Sequence, residues 1–357
     1  MTITVSVGVV QHEGPRQRWI DLAKGICIIL VVMMHTVLGI EKEIGQAGVL
    51  HAVVAWTKPF RMPDFFLLSG YLAAGVGALS WRSFLDRKML RYAYFYVLWL
   101  SIVTIVKTGG AGFVAPDQLV GAFAFGLIEP FSTLWFIYIL PFFMLAARMA
   151  RGLLAFAFGI GAVLLHLWAS THFSGGAYAM VSQVTPSVAI NSFALFFVFF
   201  FAGYMGHRRI DAWFDLARRR PLTTLSVLVV WASLHSYSLY LGIVGIPGLT
   251  LFFGLAGGLA VTLSALLLER ASGFDWLAYC GHHSMAIYLA FVIPMAVSRE
   301  FLIGAGIVEQ PDVLMILVLA VAIIAPLVLE RAVRGRAFNF LFSRPQWARM
   351  YTAKGRS

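Results

Sequence analysis

The sequence predicts an all-α fold, a polytopic membrane bundle of about ten transmembrane helices with both termini in the cytoplasm. Of the 357 residues, 60% are hydrophobic and only 12% are charged, against about 45–50% apolar and about 25% charged in soluble domains. The apolar residues form runs that approach the roughly 20 residues needed to cross a bilayer. Basic residues fall between these runs at alternate ends, as the positive-inside rule requires.

Ten apolar runs are the predicted spans, and they lie near residues 20–40, 63–80, 92–107, 133–148, 153–169, 189–206, 222–240, 248–268, 284–302 and 312–330. Two shorter apolar stretches are ambiguous. Residues 47–57 are predicted as an interfacial helix or an early part of the second span, and residues 118–128 as a short, re-entrant candidate. With a cytoplasmic N-terminus, 22 of the 27 Lys and Arg residues fall inside. The five outer ones are Lys42, Lys58, Arg61, Lys107 and Arg299.

This topology predicts three parts: a cytoplasmic N-terminal tail (1–18), a membrane domain (19–330) and a basic cytoplasmic C-terminal tail (331–357). The composition excludes a soluble globular enzyme, a disordered chain and a disulfide-stapled secreted domain. The net charge of +11 fits loops that flank a membrane, so we expect membrane lipids and no nucleic acid as partners. No metal site is expected, because the adjacent pair His282–His283 lacks metal-ligand spacing.

The first span carries a polar stripe formed by Asp21, Lys24 and His35. Lys24 and His35 are eleven residues apart, about three helical turns, so they share one face about 16 Å apart. Ionisable groups inside a span are costly and indicate function, and a histidine changes charge near neutral pH. His35 is therefore an acid–base candidate. The alternative is structural: His35 bonds a neighbouring helix and Lys24 reaches the lipid headgroups.

The entry to the second span, KPFRMPDFFLLSG, places Arg61 and Asp64 at its outer mouth. These two residues are three apart and could form a plain ion pair. Alternatively, the bend at Pro59 and Pro63 could aim one of them at the pocket that contains His35. Small residues favour close approach of membrane helices, so Gly70 is predicted to pack against another helix.

The next loop, FLDRKMLRYAYFY, places Lys88 and Arg91 three residues apart on one helical face. Two cations on one face suit a phosphate-bearing ligand. The positive-inside rule would also require basic residues in a cytoplasmic loop, and spacing alone favours that simpler interpretation.

Taken in this order, the three blocks resemble the family-3 membrane acyltransferases. That family carries a basic residue and, eleven positions later, a histidine, matched by Lys24 and His35. An F-x-M-P-x-F-F-x-x-S-G stretch follows, matched by residues 60–70, and then a basic pair, matched by Lys88 and Arg91. Weaker matches are LWFIYIL at 134–140 and GHHSMAIYL at 281–289. The chain departs from the common pattern in having Lys24 where Arg is frequent and Asp64 where an apolar residue is frequent.

The resemblance implies an integral membrane acyltransferase of the bacterial inner membrane, transferring groups other than aminoacyl. The donor would be acetyl-CoA or another acyl-CoA, and the acceptor a hydroxyl of a carbohydrate or lipid-linked glycan. Lys24, Lys88 and Arg91 would bind the donor, and His35 would act as general base or carry the acyl group itself. Asp64, predicted as a further catalytic residue, Asp21 or Glu41 would orient the imidazole. Arg61 is a further candidate site residue.

Two other classes remain open at this point. A glycan exporter would also use intramembrane His and Asp residues, although the sequence shows no two-half repeat. A scaffold protein would not need the ionisable stripe on the first span.

Overall fold

A computed structural model describes residues 17–109, 116–130, 132–172, 187–306 and 310–350. These residues form helices and connecting segments with no β-strand among them, which confirms the all-α prediction. Most of the predicted N-terminal tail (1–16) and the end of the predicted C-terminal tail (351–357) lie outside the described residues.

The α-helices in the described ranges are α1 (Arg18–Ile44), α2 (Leu50–Thr57), α3 (Arg61–Leu72), α4 (Trp81–Phe84), α5 (Arg91–Gly109), α6 (Pro116–Ile128), α7 (Trp135–Met149), α8 (Leu153–His172), α9 (Val188–Arg219), α10 (Pro221–Tyr240), α11 (Pro247–Leu268), α12 (Asp275–His282), α13 (Ser284–Ala290), α14 (Val292–Gly304) and α15 (Pro311–Val333). A π-helical segment, Leu85–Leu90, joins α4 to α5. The 3₁₀ segments are Ala74–Ala78, Ser132–Leu134, Ile243–Gly245, Ala337–Leu341 and Gln346–Ala348.

Seven helices in the described ranges are long and apolar enough to cross a membrane, or eight if α13 and α14, bent by 55°, form one broken span. The sequence predicted ten, and the difference lies in two regions. Predicted span 63–80 contains α3, whose 12 residues reach about 18 Å. Predicted span 133–148 contains α7, whose 15 residues reach about 22 Å. Both are shorter than the ~30 Å hydrocarbon core. The ten-span count is therefore not confirmed, and the orientation of the termini stays a prediction.

Helix α3 packs directly on α9 through two glycines. A Cβ atom on Gly70 would lie 1.9 Å from the carbonyl oxygen of Phe200, and one on Gly203 would lie 2.0 Å from that of Leu67. The absence of side chains lets the two backbones touch, as in other small-residue contacts of membrane helices. The predicted close packing at Gly70 is confirmed.

Contacts of α1 define the two ends of the bundle. At the proximal end, where α1 begins, Arg18 donates to the carbonyl oxygen of Glu269 (2.7 Å) and pairs with Asp275 (2.7 Å). These partners follow α11 and begin α12. At the distal end, where α1 ends, Leu50 N–H donates to Asp312 at the start of α15 (3.1 Å). The start of α3 lies distally and the start of α5 proximally.

The chain after α15 folds back onto the start of α5. Arg344 forms a buried ion pair with Asp86 (2.8 Å) and also donates to the Asp86 carbonyl oxygen (2.6 Å). The Asp86 carboxylate further accepts from Met350 N–H (2.9 Å). Further along α5, Tyr94 and Trp99 donate to backbone carbonyl oxygens of the segment after α15, each at 3.0 Å. We call residues 336–350 the docked tail.

We expect Asp86→Ala or Arg344→Ala to release the docked tail. Each change leaves a charged partner buried without its counter-ion, which typically costs about 3–5 kcal/mol. Limited proteolysis should cut within 336–350 several-fold faster in either single variant than in the wild type. The double variant should be cleaved no faster than the more slowly cleaved single variant, since neither charge of the pair is then left buried without its partner. Equal cleavage of all four proteins would contradict this role of the ion pair.

Candidate active site

The polar stripe of α1 runs from the proximal end toward the distal end inside the bundle. Asp21 is buried and lies 4.0 Å from His282 on α12. Lys24, one turn further, is half-buried and acts electrostatically on the buried Cys27. His35 stands about 16 Å beyond Lys24 along the axis. All three residues of the predicted stripe lie on α1, and its two basic groups lie at different depths.

The imidazole of His35 has no hydrogen-bond partner among the described residues, and it is only half-buried. Its ring centroid lies 5.5 Å from that of Phe291, the residue at the break between α13 and α14. A histidine that served only to join helices would donate or accept across the interface. Here neither ring nitrogen is hydrogen-bonded within the described residues.

Two cations act electrostatically on His35, and both lie at the distal end of their helices. They are Arg61 at the start of α3 and Lys107 near the end of α5. Arg61 is 7% exposed and donates to the carbonyl oxygen of Val54 (3.1 Å) on α2. The break between α2 and α3 therefore aims this guanidinium inward. Positive charge beside an acid–base group is the arrangement that stabilises a developing oxyanion.

Asp64 lies one turn into α3 and is only 2% exposed. Neither carboxylate oxygen has a geometric hydrogen bond within the described residues. The thiol of Cys27 on α1 and the charge of Arg61 both act on this carboxyl. Asp64 makes no ion pair in the described part of the chain, so the plain Arg61–Asp64 pair is not formed. The carboxyl instead faces the middle of α1, between Lys24 and His35.

The other two carboxylates proposed to orient His35 are engaged elsewhere. Glu41 accepts from His51 (2.9 Å), and it follows His35 by six residues, which points it to another face of α1. Asp21 lies fourteen residues before His35, about 21 Å away along the axis. The structure thus brings Arg61 to His35 and leaves Asp21 and Glu41 apart from it.

Lys88 and Arg91 lie at the proximal end of the bundle. Lys88 is half-buried on the π-helical segment, and the charges of Arg87 and Arg91 act on it. Arg91 is exposed at the first turn of α5. Their neighbour Asp86 is already paired with Arg344, so it does not neutralise either cation. This surface can accept an anion.

A family model described as an acyltransferase domain, acyltransferase family 3, matches residues 17–331. The match covers most of the chain. This chain belongs to acyltransferase family 3.

A curated relative supports the membrane assignment of this family-3 acyltransferase. The chain is similar to the inner membrane protein YcfT of Escherichia coli (strain K12), with 24% identity over 256 residues. The alignment covers 65% of this chain and 69% of that protein. No solved structure matches the chain. Together with its long apolar helices, the family and the relative make this chain an integral membrane acyltransferase.

Lys107, which acts on His35 in this acyltransferase, is absent from the site residues predicted from the sequence. The signal was present, because Lys107 is one of five basic residues on the predicted outer side, where the positive-inside rule disfavours them. Another of the five, Arg61, also acts on His35, whereas Arg299 pairs with Glu43. Each basic residue on the predicted outer side therefore needs its own structural or functional reason for being there.

The other histidines in the described part of the acyltransferase have protein partners. His283 pairs with Glu330 (2.6 Å). His166 bonds the Leu195 carbonyl oxygen (2.8 Å) and His235 that of Trp56 (2.9 Å). Within the described ranges, no group of three or more His, Cys, Asp or Glu side chains could hold a metal ion. His35 differs from these histidines in having unoccupied ring nitrogens.

Proposed function

We propose that this protein transfers an acyl group, commonly acetyl, from a cytoplasmic acyl-CoA to a hydroxyl of a carbohydrate or lipid-linked glycan. The membrane would be the bacterial inner membrane, as for the relative named above. The observation that carries the proposal is His35: an imidazole on a predicted span that has no hydrogen-bond partner among the described residues and on which two cations act. The proximal end would be cytoplasmic, because the charge distribution assigns it there.

In this mechanism, Lys24, Lys88 and Arg91 bind the phosphates of the donor at the proximal end. The acyl-thioester arm extends along α1 toward His35. The neutral imidazole takes the proton of the acceptor hydroxyl while the hydroxyl oxygen attacks the thioester carbonyl carbon. The carbon–sulfur bond then breaks, and the thiolate of coenzyme A leaves and takes up a proton. An acyl-imidazole on His35 is the alternative route.

Arg61 and Lys107 would stabilise the negative charge that develops on the carbonyl oxygen during attack. Asp64 would act as a positioning residue, because its carboxyl faces α1 one turn from Arg61 and does not bond His35. Surrounding apolar side chains such as Phe291 would limit access of water, which would otherwise hydrolyse the thioester.

The direct test uses the purified full chain in proteoliposomes with radiolabelled acetyl-CoA on one side and candidate glycans on the other. We expect label to appear on the glycan in an alkali-labile ester. Export of unmodified glycan with no label transfer would instead favour the exporter. Absence of both transfer and acyl-CoA binding would overturn the proposed function.

We expect Lys88→Ala and Arg91→Ala each to raise the KM for acetyl-CoA about tenfold, since a hydrogen bond to a charged group contributes about 1.5–3 kcal/mol. The value of kcat should change less than about twofold, because these contacts are the same in ground and transition states. Steady-state kinetics over a range of donor concentrations measures both.

The matched control is Arg208→Ala. Arg208 is an exposed basic residue of α9, assigned only to the charge pattern. It should leave the donor KM unchanged. If Lys88→Ala and Arg91→Ala behave like this control, both cations are topology signals and do not contact the donor.

A further inference from the structure

The docked tail encloses a cavity outside the region matched by the family model, which ends at residue 331. The cavity has a volume of about 380 Å³. Its lining includes three arginines, two side-chain amides and an indole: Arg336, Arg344, Arg349, Asn339, Gln346 and Trp347. None of these residues contributes to the mechanism above.

The three arginines of this cavity differ in whether a carboxylate neutralises their charge. Arg344 is committed to Asp86 and fixes the tail in place. Arg336 and Arg349 are exposed and have no carboxylate partner in the described part of the chain. Arg349 donates one hydrogen bond to the carbonyl oxygen of Arg344 (3.3 Å), which leaves its charge without a counter-ion. The cavity therefore presents two uncompensated guanidinium groups, whose planar donors suit phosphate oxygens.

The remaining lining groups suit a purine base. Trp347 is 81% exposed, although indole is an apolar group that normally packs. Its one ring neighbour within the described residues is Tyr94, edge-on at 6.2 Å. An exposed aromatic face is a platform for a nucleobase. The side-chain amides of Asn339 and Gln346 have no hydrogen-bond partner within the described residues. One amide of this kind can form two hydrogen bonds to the edge of an adenine.

The cavity also adjoins the proposed donor site. Asp86, which holds Arg344, lies two residues before Lys88 and five before Arg91 on the same helical path. A ligand with phosphates could therefore contact both the docked tail and the basic pair. A lipid headgroup would use the arginines, and the membrane interface would also accept the indole, but it would leave the two side-chain amides without a specific partner.

We propose that the docked tail binds the adenosine phosphate end of the acyl-CoA donor. Arg336 and Arg349 contact phosphate, Trp347 stacks on the adenine, and Asn339 and Gln346 bond its edge. The proposal rests on the proposed function, since it names the part of the donor that this second site holds. It extends the donor site beyond the residues that the family resemblance implied.

The test compares two donors on the full chain: acetyl-CoA, and acetyl-pantetheine, which has the thioester arm but no nucleotide. The variants are Arg336→Ala/Arg349→Ala and Trp347→Ala, with Arg208→Ala/Arg209→Ala as the charge-matched control. We expect the double variant to raise the Kd and KM for acetyl-CoA at least about tenfold, and Trp347→Ala to raise them about fivefold or more. The KM for acetyl-pantetheine should stay unchanged in every variant.

Several results would overturn the proposal. One is an unchanged Kd for acetyl-CoA in both tail variants while the wild type transfers acetyl groups, which leaves the proposed function intact. Another is an equal loss with both donors, which indicates a general structural effect. A third is weaker binding to vesicles of anionic lipid with no change in nucleotide affinity, which makes the cavity a headgroup site. If the wild type transfers nothing, the proposed function fails, and the binding of adenosine 3′,5′-bisphosphate still tests the cavity.

Discussion

The variant His35→Ala is expected to lose acyl transfer by about 10²–10⁴-fold while the protein still folds and binds acyl-CoA. General base catalysis contributes an effect of that size. The structural cost should be small, because the imidazole makes no hydrogen bond to the described residues and its only ring contact among them is with Phe291. Its loss would appear in kcat and leave the donor Kd unchanged, since Lys24, proposed to bind the donor phosphates, lies about 16 Å from His35 along α1.

Three measurements make this prediction specific. Transfer of label from acetyl-CoA gives kcat, equilibrium binding gives the donor Kd, and thermal unfolding in detergent reports folding. The matched control is His172→Ala, because His172 is an exposed histidine at the end of α8 that bonds its own helix at the Trp168 carbonyl oxygen (2.8 Å). It should behave as the wild type.

Two further variants separate proton transfer from packing. His35→Gln keeps a polar side chain of similar size but cannot take a proton, so it should be as inactive as His35→Ala. Added imidazole should restore part of the turnover of His35→Ala and none of that of Lys88→Ala. If His35→Ala retains wild-type turnover, the proposed role of His35 as base is wrong.

Composition and charge pattern were enough to predict the helical membrane fold. The hydrocarbon core of a bilayer requires apolar side chains and a backbone whose hydrogen bonds are made within the segment, as in a helix. They could not establish how many helices cross. The residues near 63–80 form a helix that ends at Leu72, followed by a 3₁₀ segment with Gly75 and Gly77. The residues on both sides of that change are mostly apolar, so an apolar count cannot detect it.

The candidate site was predictable to the extent that it lies on one helix. Helical periodicity placed Lys24 and His35 on one face, and the structure has them there. Contacts between helices were only partly readable from the sequence. It offered three carboxylates for His35 and left Arg61 as one of two residues that the proline bend could direct there, whereas the groups that act on His35 are Arg61 and Lys107. The Asp86–Arg344 pair joins residues 258 positions apart, and no local pattern connects them.

Gly281 belongs to a sequence motif that matches the family only weakly, but in the structure it lies at a close contact between two helices. A Cβ atom on Gly281 would lie 1.6 Å from the carbonyl oxygen of Asp21, and one on Gly25 would lie 2.2 Å from that of Leu277. Helices α1 and α12 therefore touch through their backbones. The contact sets the position of the turn that carries Asp21 and Lys24.

We expect Gly281→Ala to destabilise the protein by about 3 kcal/mol or more. Overpacking typically costs about 1–3 kcal/mol, and here the obstructing atom is a backbone oxygen, which cannot rotate away as a side chain can. Relief requires α12 to move off α1, which would displace Lys24 and the Asp21–His282 contact. A lower melting temperature in detergent and a weaker affinity for acetyl-CoA should therefore occur together.

The matched control is Gly161→Ala in α8, where an added Cβ meets nothing within 4 Å. Alanine in a helix interior is favoured over glycine by about 0.5–1 kcal/mol, so this control should melt at or slightly above the wild-type temperature. The two variants make the same chemical change in helices and differ in what the new methyl group meets. If both melt alike, the α1–α12 contact is looser than the backbone distances indicate, and Lys24 is not positioned by it.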